Sequence, residues 1–473
     1  MTVQRQILIF IFALSGPSLL AQTFSYADFL NQLVGFHPIM QQAGLQLDIA
    51  DANLRLQQAV MDPYVEASYG DKAYDDREYY TKSSLKMALP TALGVEFFAG
   101  YTENIGPQVD PEILTSSSGQ YQAGVSLPLG PDLLFNERRL AIRKAGLMME
   151  MADAERRMMV NDLFFRASLA YLNWSLANQT MAVQEDALTL AQEQFQFVKG
   201  VYTGGDRPAI DTVEAFLQVQ TRRFQLLETR RALNSASIIL SNFLWEQEGR
   251  PVRLADRMLP QSMEEFTPFM QQVQDSFMLW QDEITQEHPT LLINRLAIQS
   301  LKLERQTALS GAIPQIDLKY VALTPGVSNR DIQALGINDR MFGVGLKYPL
   351  LIRKQRSKLS LIDLKRNEKE LDLKVKSLSL STKLDQHIME YGINAQQAEL
   401  YREMVENFER LLQAERTKFS LGESSVFLLN ARENKLFDAQ SKQLETQAKQ
   451  IGSIFKVIQT SNKEDIYLEA IGE

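Results

Sequence analysis

The chain has 473 residues, of which 45% are hydrophobic and 23% charged, and a formal charge of −9. With 24 Gly and 16 Pro, it has the composition of a folded chain with room for long regular elements. It contains no cysteine and three histidines (His37, His288, His387), which excludes disulfides, thiolate metal sites, cysteine nucleophiles and a cysteine-linked lipid, and makes a histidine-rich metal centre a poor reading.

Residues 1–21 read as a secretory signal: Arg5 leads into the apolar run Ile7–Leu14, and Ser18-Leu19-Leu20-Ala21 offers a cleavage site before Gln22. The apolar run is about half the ~20 residues a spanning helix needs, so export is expected rather than anchoring. Without this segment the charge becomes −10, and no polybasic arm or basic–aromatic stripe points to nucleic acid.

Beyond the signal, one plan occurs twice. His37-Pro38 and His288-Pro289 each open a stretch of helical spacing, and each stretch ends at a proline 26 residues after its histidine, Pro63 and Pro314. The two histidines read as packing or turn residues before proline, not as metal ligands. After each proline the period changes to two: Val65, Ala67 and Tyr69 in the first copy, Ile316, Leu318 and Tyr320 in the second. A second alternating run closes each region, Tyr121 to Leu127 before Pro128 and Phe342 to Tyr348 before Pro349. Pro63 and Pro128 lie 65 positions apart, Pro314 and Pro349 only 35, so the first copy carries 30 extra residues. These hold two further alternating runs, Leu85-Met87-Leu89 and Val95-Phe97-Ala99-Tyr101. The strand-bearing regions are thus about 63–128 and 314–349.

Long proline-free helices follow, about 133–202 and 353–421, each on the order of 100 Å at 1.5 Å per residue. Tyr401, Val405, Phe408 and Leu412 step by 4, 3 and 4, a coiled-coil seam. Tyr202-Thr203-Gly204-Gly205 and Phe419-Ser420-Leu421-Gly422 supply glycine stops, and return helices are expected over 209–245 and 424–460. The chain divides into a first repeat (22–248), a linker (249–286), a second repeat (287–460) and a tail (461–473).

No phosphate-cradling glycine loop, Gly-x-Ser-x-Gly elbow or His-Glu-x-x-His pattern is present, so no catalytic, cofactor or metal residues are assigned and no enzyme is expected. Strands with one apolar face in an exported chain imply an outer-membrane β-barrel, because backbone in lipid must close on itself. Four matched strands, or six with the insertion, are fewer than the eight of the smallest single-chain barrels, so either the barrel is shared between chains or the strands are not in membrane. The long helices exceed the ~30 Å hydrocarbon core and extend into an aqueous space. A soluble coiled-coil protein without a channel, or a periplasmic adaptor-like protein, is the alternative; the first leaves the amphipathic strands unexplained and the second needs only one helical hairpin.

This arrangement resembles the TolC-like outer-membrane efflux proteins over nearly the whole mature chain. The marks are the duplicated His-Pro-x24-Pro, Leu127-Pro128-Leu129 with Tyr348-Pro349-Leu350, and the glycine turns followed by return helices. In that family's turn pattern glycine is followed six residues later by aspartate. Gly205 and Asp211 keep this, whereas Leu428 stands at that distance from Gly422, and Asn430-Ala431-Arg432-Glu433 resembles the second return helix of relatives. The resemblance implies a mainly α fold with a membrane β-barrel portion: a homotrimer whose twelve strands close one barrel, continuing into a periplasmic α-helical barrel with a mixed equatorial belt. It implies an outer-membrane channel of a tripartite efflux or type I secretion system, docking at its helical tips to a periplasmic adaptor and an inner-membrane pump.

The candidate site is the pair of helical tips: Tyr202, Gly205 and Asp211 in the first turn, Phe419, Gly422, Asn430 and Glu433 in the second. A helix–turn tip presents unpaired end groups at the far end of the conduit. A ring of Asp211 carboxylates could filter cations, or Asp211 could cap the return helix. Arg138, Arg139, Arg143 and Lys144, with Arg353, Lys354, Arg356 and Lys358, are expected where strands pass into helices, to meet outer-membrane lipid phosphates or to form interhelical ion pairs.

Overall fold

The computed structural model describes residues 23–471 except 131, 132, 134, 206, 255–257 and 326–338. The expected signal segment lies outside the described residues. The duplicated plan is visible in the order of elements. In the first copy, helices α1 (Tyr26–Phe36) and α2 (Pro38–Gln58) precede strands β1 (Tyr64–Tyr74), β2 (Arg77–Pro90), β3 (Glu96–Ile105) and β4 (Gln120–Leu129). The long helix α3 (Glu137–Thr203) and its return partner α4 (Ala209–Ser241) follow. Helices α5 (Thr267–Asp275) and α6 (Phe277–Glu287) occupy the linker. The second copy is α7 (Pro289–Ser310), β5 (Gln315–Thr324), β6 (Arg340–Lys347), the long α8 (Arg353–Ser420) and its return α9 (Val426–Ser461), with a short α10 (Asp465–Glu469) after it.

The repeated His-Pro is a helix start. His37 Nδ1 accepts from the Ile39 amide at 3.2 Å and His288 Nδ1 from the Thr290 amide at 3.1 Å, with proline at the first helical position of α2 and α7. Each ring caps donors that would otherwise be orphaned, and proline gives up no bond there. Both are buried and both engage the end of a return helix, His37 the backbone of Asn242 and His288 that of Thr460. Burial lowers both ring pKa values, that of His288 to about 4.

The six strands form one antiparallel sheet in the order β6-β5-β4-β3-β2-β1, so the copies meet where β4 pairs with β5. The two runs read from the insertion are β2 and β3. Register aligns the faces across every strand: Val65 opposite Met87, Leu85 opposite Tyr101, Phe97 opposite Val125, Leu127 opposite Leu318 and Leu318 opposite Val344. One face is therefore a continuous apolar band, largely exposed in the single chain. Lys86, Glu96, Gln122, Ser126, Asp317 and Lys319 occupy the other face.

The long helices pair as antiparallel hairpins, α3 with α4 and α8 with α9. The main core lies at mid-height. There Tyr26, Phe29, Phe164, Tyr171 and Trp174 meet Phe266 and Trp280 of the linker and Phe455 and Tyr467 from the end of the chain. Each such side chain contributes about 1.5–3 kcal/mol by burial, and the linker is thereby packed into the helical body. No helix among the described residues is long and apolar enough to cross a membrane.

Some boundaries differ from the sequence reading. Helix α3 starts at Glu137, not near Leu133, because β4 runs to Leu129 and Gly130 turns at φ +89°; the Asn136 side chain then caps the helix by accepting from the Arg139 amide at 2.9 Å. Helix α4 stops at Ser241, four residues early, with Phe243 and Leu244 turning back into the core. Of the seam on α8, Val405 and Leu412 are buried and Phe408 packs against them.

Candidate functional site

The two tips close by the same backbone device. Gly205 (φ +88°) and Gly422 (φ +81°) occupy the left-handed region that glycine enters without a Cβ clash. After α8 the Gly422 amide donates to the Phe419 carbonyl at 3.2 Å and the Glu423 amide to that of Lys418 at 2.9 Å, a Schellman closure. After α3 the Gly205 amide donates to the Tyr202 carbonyl at 3.0 Å. Tyr202, Gly205 and Gly422 are exposed; Phe419 is buried in a small core with Val198, Ala215, Val405, Leu412, Val426 and Leu429. Every element of both hairpins contributes to that core, which joins the tips.

Arg207 bridges them. Its guanidinium donates to Asp211 Oδ2 at 3.2 Å and to the Ser424 carbonyl at 3.4 Å, and lies 4.2 Å from the centre of the Phe419 ring. Asp211 thus forms an ion pair within its own tip. It does not cap α4: Pro208 holds the N-cap position without a side-chain bond, and Asp211 sits in the first turn, where its charge favours the helix start. Across the turn, Ser424 donates to Glu415 at 2.5 Å, and Arg432 approaches the same carboxylate at 3.5 Å. The Ser424 bond first, then Arg432, hold the Glu415 carboxyl below the usual range.

Behind the tips lies a buried polar layer. Asn430 accepts from Gln194 at 3.1 Å, joining α9 to α3. Arg222 of α4, 1% exposed, donates to Asn434 at 2.6 Å and to Gln225 at 2.9 Å and stacks on Phe437. Gln218 also donates to Asn434, at 2.8 Å. Glu433 is 2% exposed and pairs with Arg416 at 3.6 Å. Its burial raises the carboxyl pKa, opposed by Arg416 and Arg222.

The structure therefore brings Asp211 and Phe419 together through Arg207, and sets Asn430 and Glu433 in the layer behind. Tyr202 is exposed at the first turn, its carbonyl accepting from the Gly205 amide. Sequence reading missed Arg207, Arg222, Glu415, Arg416 and Asn434, and named Arg432 only within the Asn430–Glu433 motif, without a role. Arg207 could have been found as the opposite charge four residues before Asp211; the others carry no local signal. Of the basic clusters, Lys144 pairs with Glu304 at 2.5 Å, while Arg138, Lys354 and Lys358 line one cleft of about 500 Å³ beneath the sheet. Among the described residues no group of three or more His, Asp or Glu could hold a metal ion.

A membrane-type sheet continuing into paired helices, the longer of each pair about 100 Å long, defines a class of elongated outer-membrane channels. The sequence matches the family described as outer membrane efflux protein over residues 30–244 and 280–453, and the chain belongs to that family. No curated protein matches. Among solved structures, the open-state MtrE outer membrane channel of Neisseria gonorrhoeae is 12% identical, with a TM-score of 0.64, covering 95% of this chain and 93% of that one. The CmeC outer membrane channel of Campylobacter jejuni is 11% identical, with a TM-score of 0.61, covering 99% and 97%. The outer membrane protein VceC of Vibrio cholerae is 11% identical, with a TM-score of 0.60, covering 92% and 95%. The fold is thus that of outer-membrane channels, mainly α with a membrane β-barrel portion, and the chain is an outer-membrane protein with a long periplasmic helical part. Its family and structural neighbours are channels, not enzymes.

Proposed function

We propose that three copies of this chain form a passive exit duct of a tripartite efflux or type I secretion system, carrying small molecules or polypeptides across the periplasm and outer membrane. The observation that carries this reading is the apolar band across one open six-stranded sheet, on the same chain as helices about 100 Å long. In lipid, unpaired strand edges must find partners, and six strands are too few to close alone. Two exposed helical seams support assembly as well. Ile210, Val213, Leu217, Phe224 and Leu227 line one side of α4, and Leu361, Leu364, Leu371, Val375 and Leu378 one side of α8. Their steps of three, four and seven suit neighbouring helices of other copies.

The tips around Tyr202–Asp211 and Phe419–Glu433 are, on this reading, the entrance that meets a periplasmic adaptor and, through it, an inner-membrane pump. Exposed Tyr202, Leu421 and Phe427 offer apolar contact there, beside the exposed glycine turns. Planar-bilayer conductance of the purified protein tests the entrance. Asp211→Ala is expected to change block by divalent cations, whereas Glu433, buried behind the tips, is expected to leave it unchanged when replaced by Ala; unchanged block in Asp211→Ala removes acidic control of the entrance.

A further inference from the structure

Resting on the assembly just proposed, we infer that the inserted hairpin is part of the membrane wall, so that three copies close an 18-stranded barrel rather than one of twelve. The resemblance to TolC-like proteins implies four strands per chain; this chain sets six in one sheet.

Four observations place β2 and β3 in the wall. First, Leu85, Met87 and Leu89 of β2 and Phe97, Ala99 and Tyr101 of β3 lie in register on the same apolar face as Val65 and Ala67 of β1 and Val125 of β4. A hairpin folded out of the wall would have no reason to keep that face, since a one-residue slip would reverse it. Second, β2 and β3 are 14 and 10 residues long, enough for the ~9–11 residues a spanning strand needs. Third, their ends match those of the other strands. At one end Asp75 and Asp76 (φ +55° and +54°) make a two-residue hairpin turn. At the other, the carbonyl of Ala92, in the turn between β2 and β3, accepts from Asn136 at 3.0 Å, beside the base of α3.

Fourth, the polar face ties the insertion to the second repeat. Phe98 of β3 lies opposite Ala88 of β2 and reaches past β4 to Val321 of β5, the three forming a small buried cluster. It crosses β4 at Gly124, where a Cβ would stand 2.6 Å from the ring. Lys86 and Lys319, from opposite sides, lie 5.0 and 5.4 Å from the Phe98 ring centre. The free edges also suit closure: β1 runs away from the helices and β6 toward them, so β1 of one copy can pair antiparallel with β6 of the next, and 18 is an even count. With strands ~4.8 Å apart and tilted by about 40°, 18 strands give a backbone diameter of about 36 Å, against about 24 Å for twelve at the same tilt.

The chain's lack of cysteine allows a clean test on the full-length protein in outer membranes. Cysteine pairs joining Ser68 or Gly70 of β1 to Gly343 or Gly345 of β6 are expected to yield disulfide-linked trimers, and none of the three glycines has an atom closer than 3.8 Å to an added Cβ. A pair from Thr102 of β3 to Gly343 is expected to yield none. Cryo-electron microscopy of the protein in lipid nanodiscs then counts the wall: 18 strands in the intact protein, and twelve after deletion of Arg77–Ile105. Crosslinking through Thr102, or twelve strands in the wall of an intact trimer, overturns the inference and leaves the duct standing. A particle that is not a trimer overturns the duct itself.

Discussion

Replacing Arg207 with alanine should loosen the two tips from each other. The guanidinium joins Asp211 at 3.2 Å, the Ser424 carbonyl at 3.4 Å and the Phe419 ring at 4.2 Å, and its side chain is 15% exposed. Both hydrogen bonds are long and partly wetted, so each contributes less than the 1.5–3 kcal/mol of a short charged bond, and stacking on Phe419 adds a similar fraction. Together they suggest a cost of about 2 kcal/mol in local opening, or roughly 30-fold in its equilibrium. Native-state hydrogen exchange reads this directly, because the Gly422 and Glu423 amides are protected by the turn that Arg207 braces. Exchange at these amides should accelerate by that factor in Arg207→Ala, while amides in the mid-height core around Trp174 stay unchanged. Arg207→Lys should fall between, since lysine keeps the charge and loses the planar fork. Unchanged exchange at Gly422 and Glu423 in the alanine variant would refute the bridge, as would a lysine variant identical to the native protein.

Two glycines should respond with opposite signs. Gly422→Ala forces a side chain into φ +81° and should cost about 1–2 kcal/mol of tip stability, whereas Gly392→Ala, inside α8 with nothing within 4 Å of the added Cβ, should stabilise by up to about 1 kcal/mol; thermal midpoints of both variants check the pair. The buried His288 should make stability fall in acid. Its folded pKa, about 4, lies below the usual 6.5, so the unfolded chain binds the extra proton. Its share of stability is complete above pH 6.5 and declines by about 3 kcal/mol as the pH falls toward 4. His288→Asn keeps a capping side chain and should flatten that part of the melting-temperature profile; an unaltered slope would show that His288 is not the group responsible.

The architecture was largely legible in the sequence because it rests on local signals. The two His-Pro pairs became helix caps, the period-two runs became strands, and the glycines at 205 and 422 became left-handed turns. Even the insertion announced its strands, since Leu85-Met87-Leu89 and Phe97-Ala99-Tyr101 alternate like their neighbours. The site was legible only in outline. Position in the repeat located the tips, but Arg207 meets Ser424 across 217 residues of chain and Arg222 meets Asn434 across 212, and no spacing announces such pairs. Arg222 also reads as an ordinary basic residue on a helix; its burial follows from how α4 lies against α9. The expected end of α4 at residue 245 failed for a similar reason, because the chain turns inward at Phe243 to fill a core that forms only when both repeats pack.

The most direct test of the central claim is the mass and shape of the full-length protein extracted from outer membranes in detergent, by light scattering and single-particle imaging together. The expected particle contains three copies, with a closed membrane wall at one end and a helical rod about 100 Å long at the other. A monomer, or a compact particle without a rod, would contradict the shared barrel and the duct built on it.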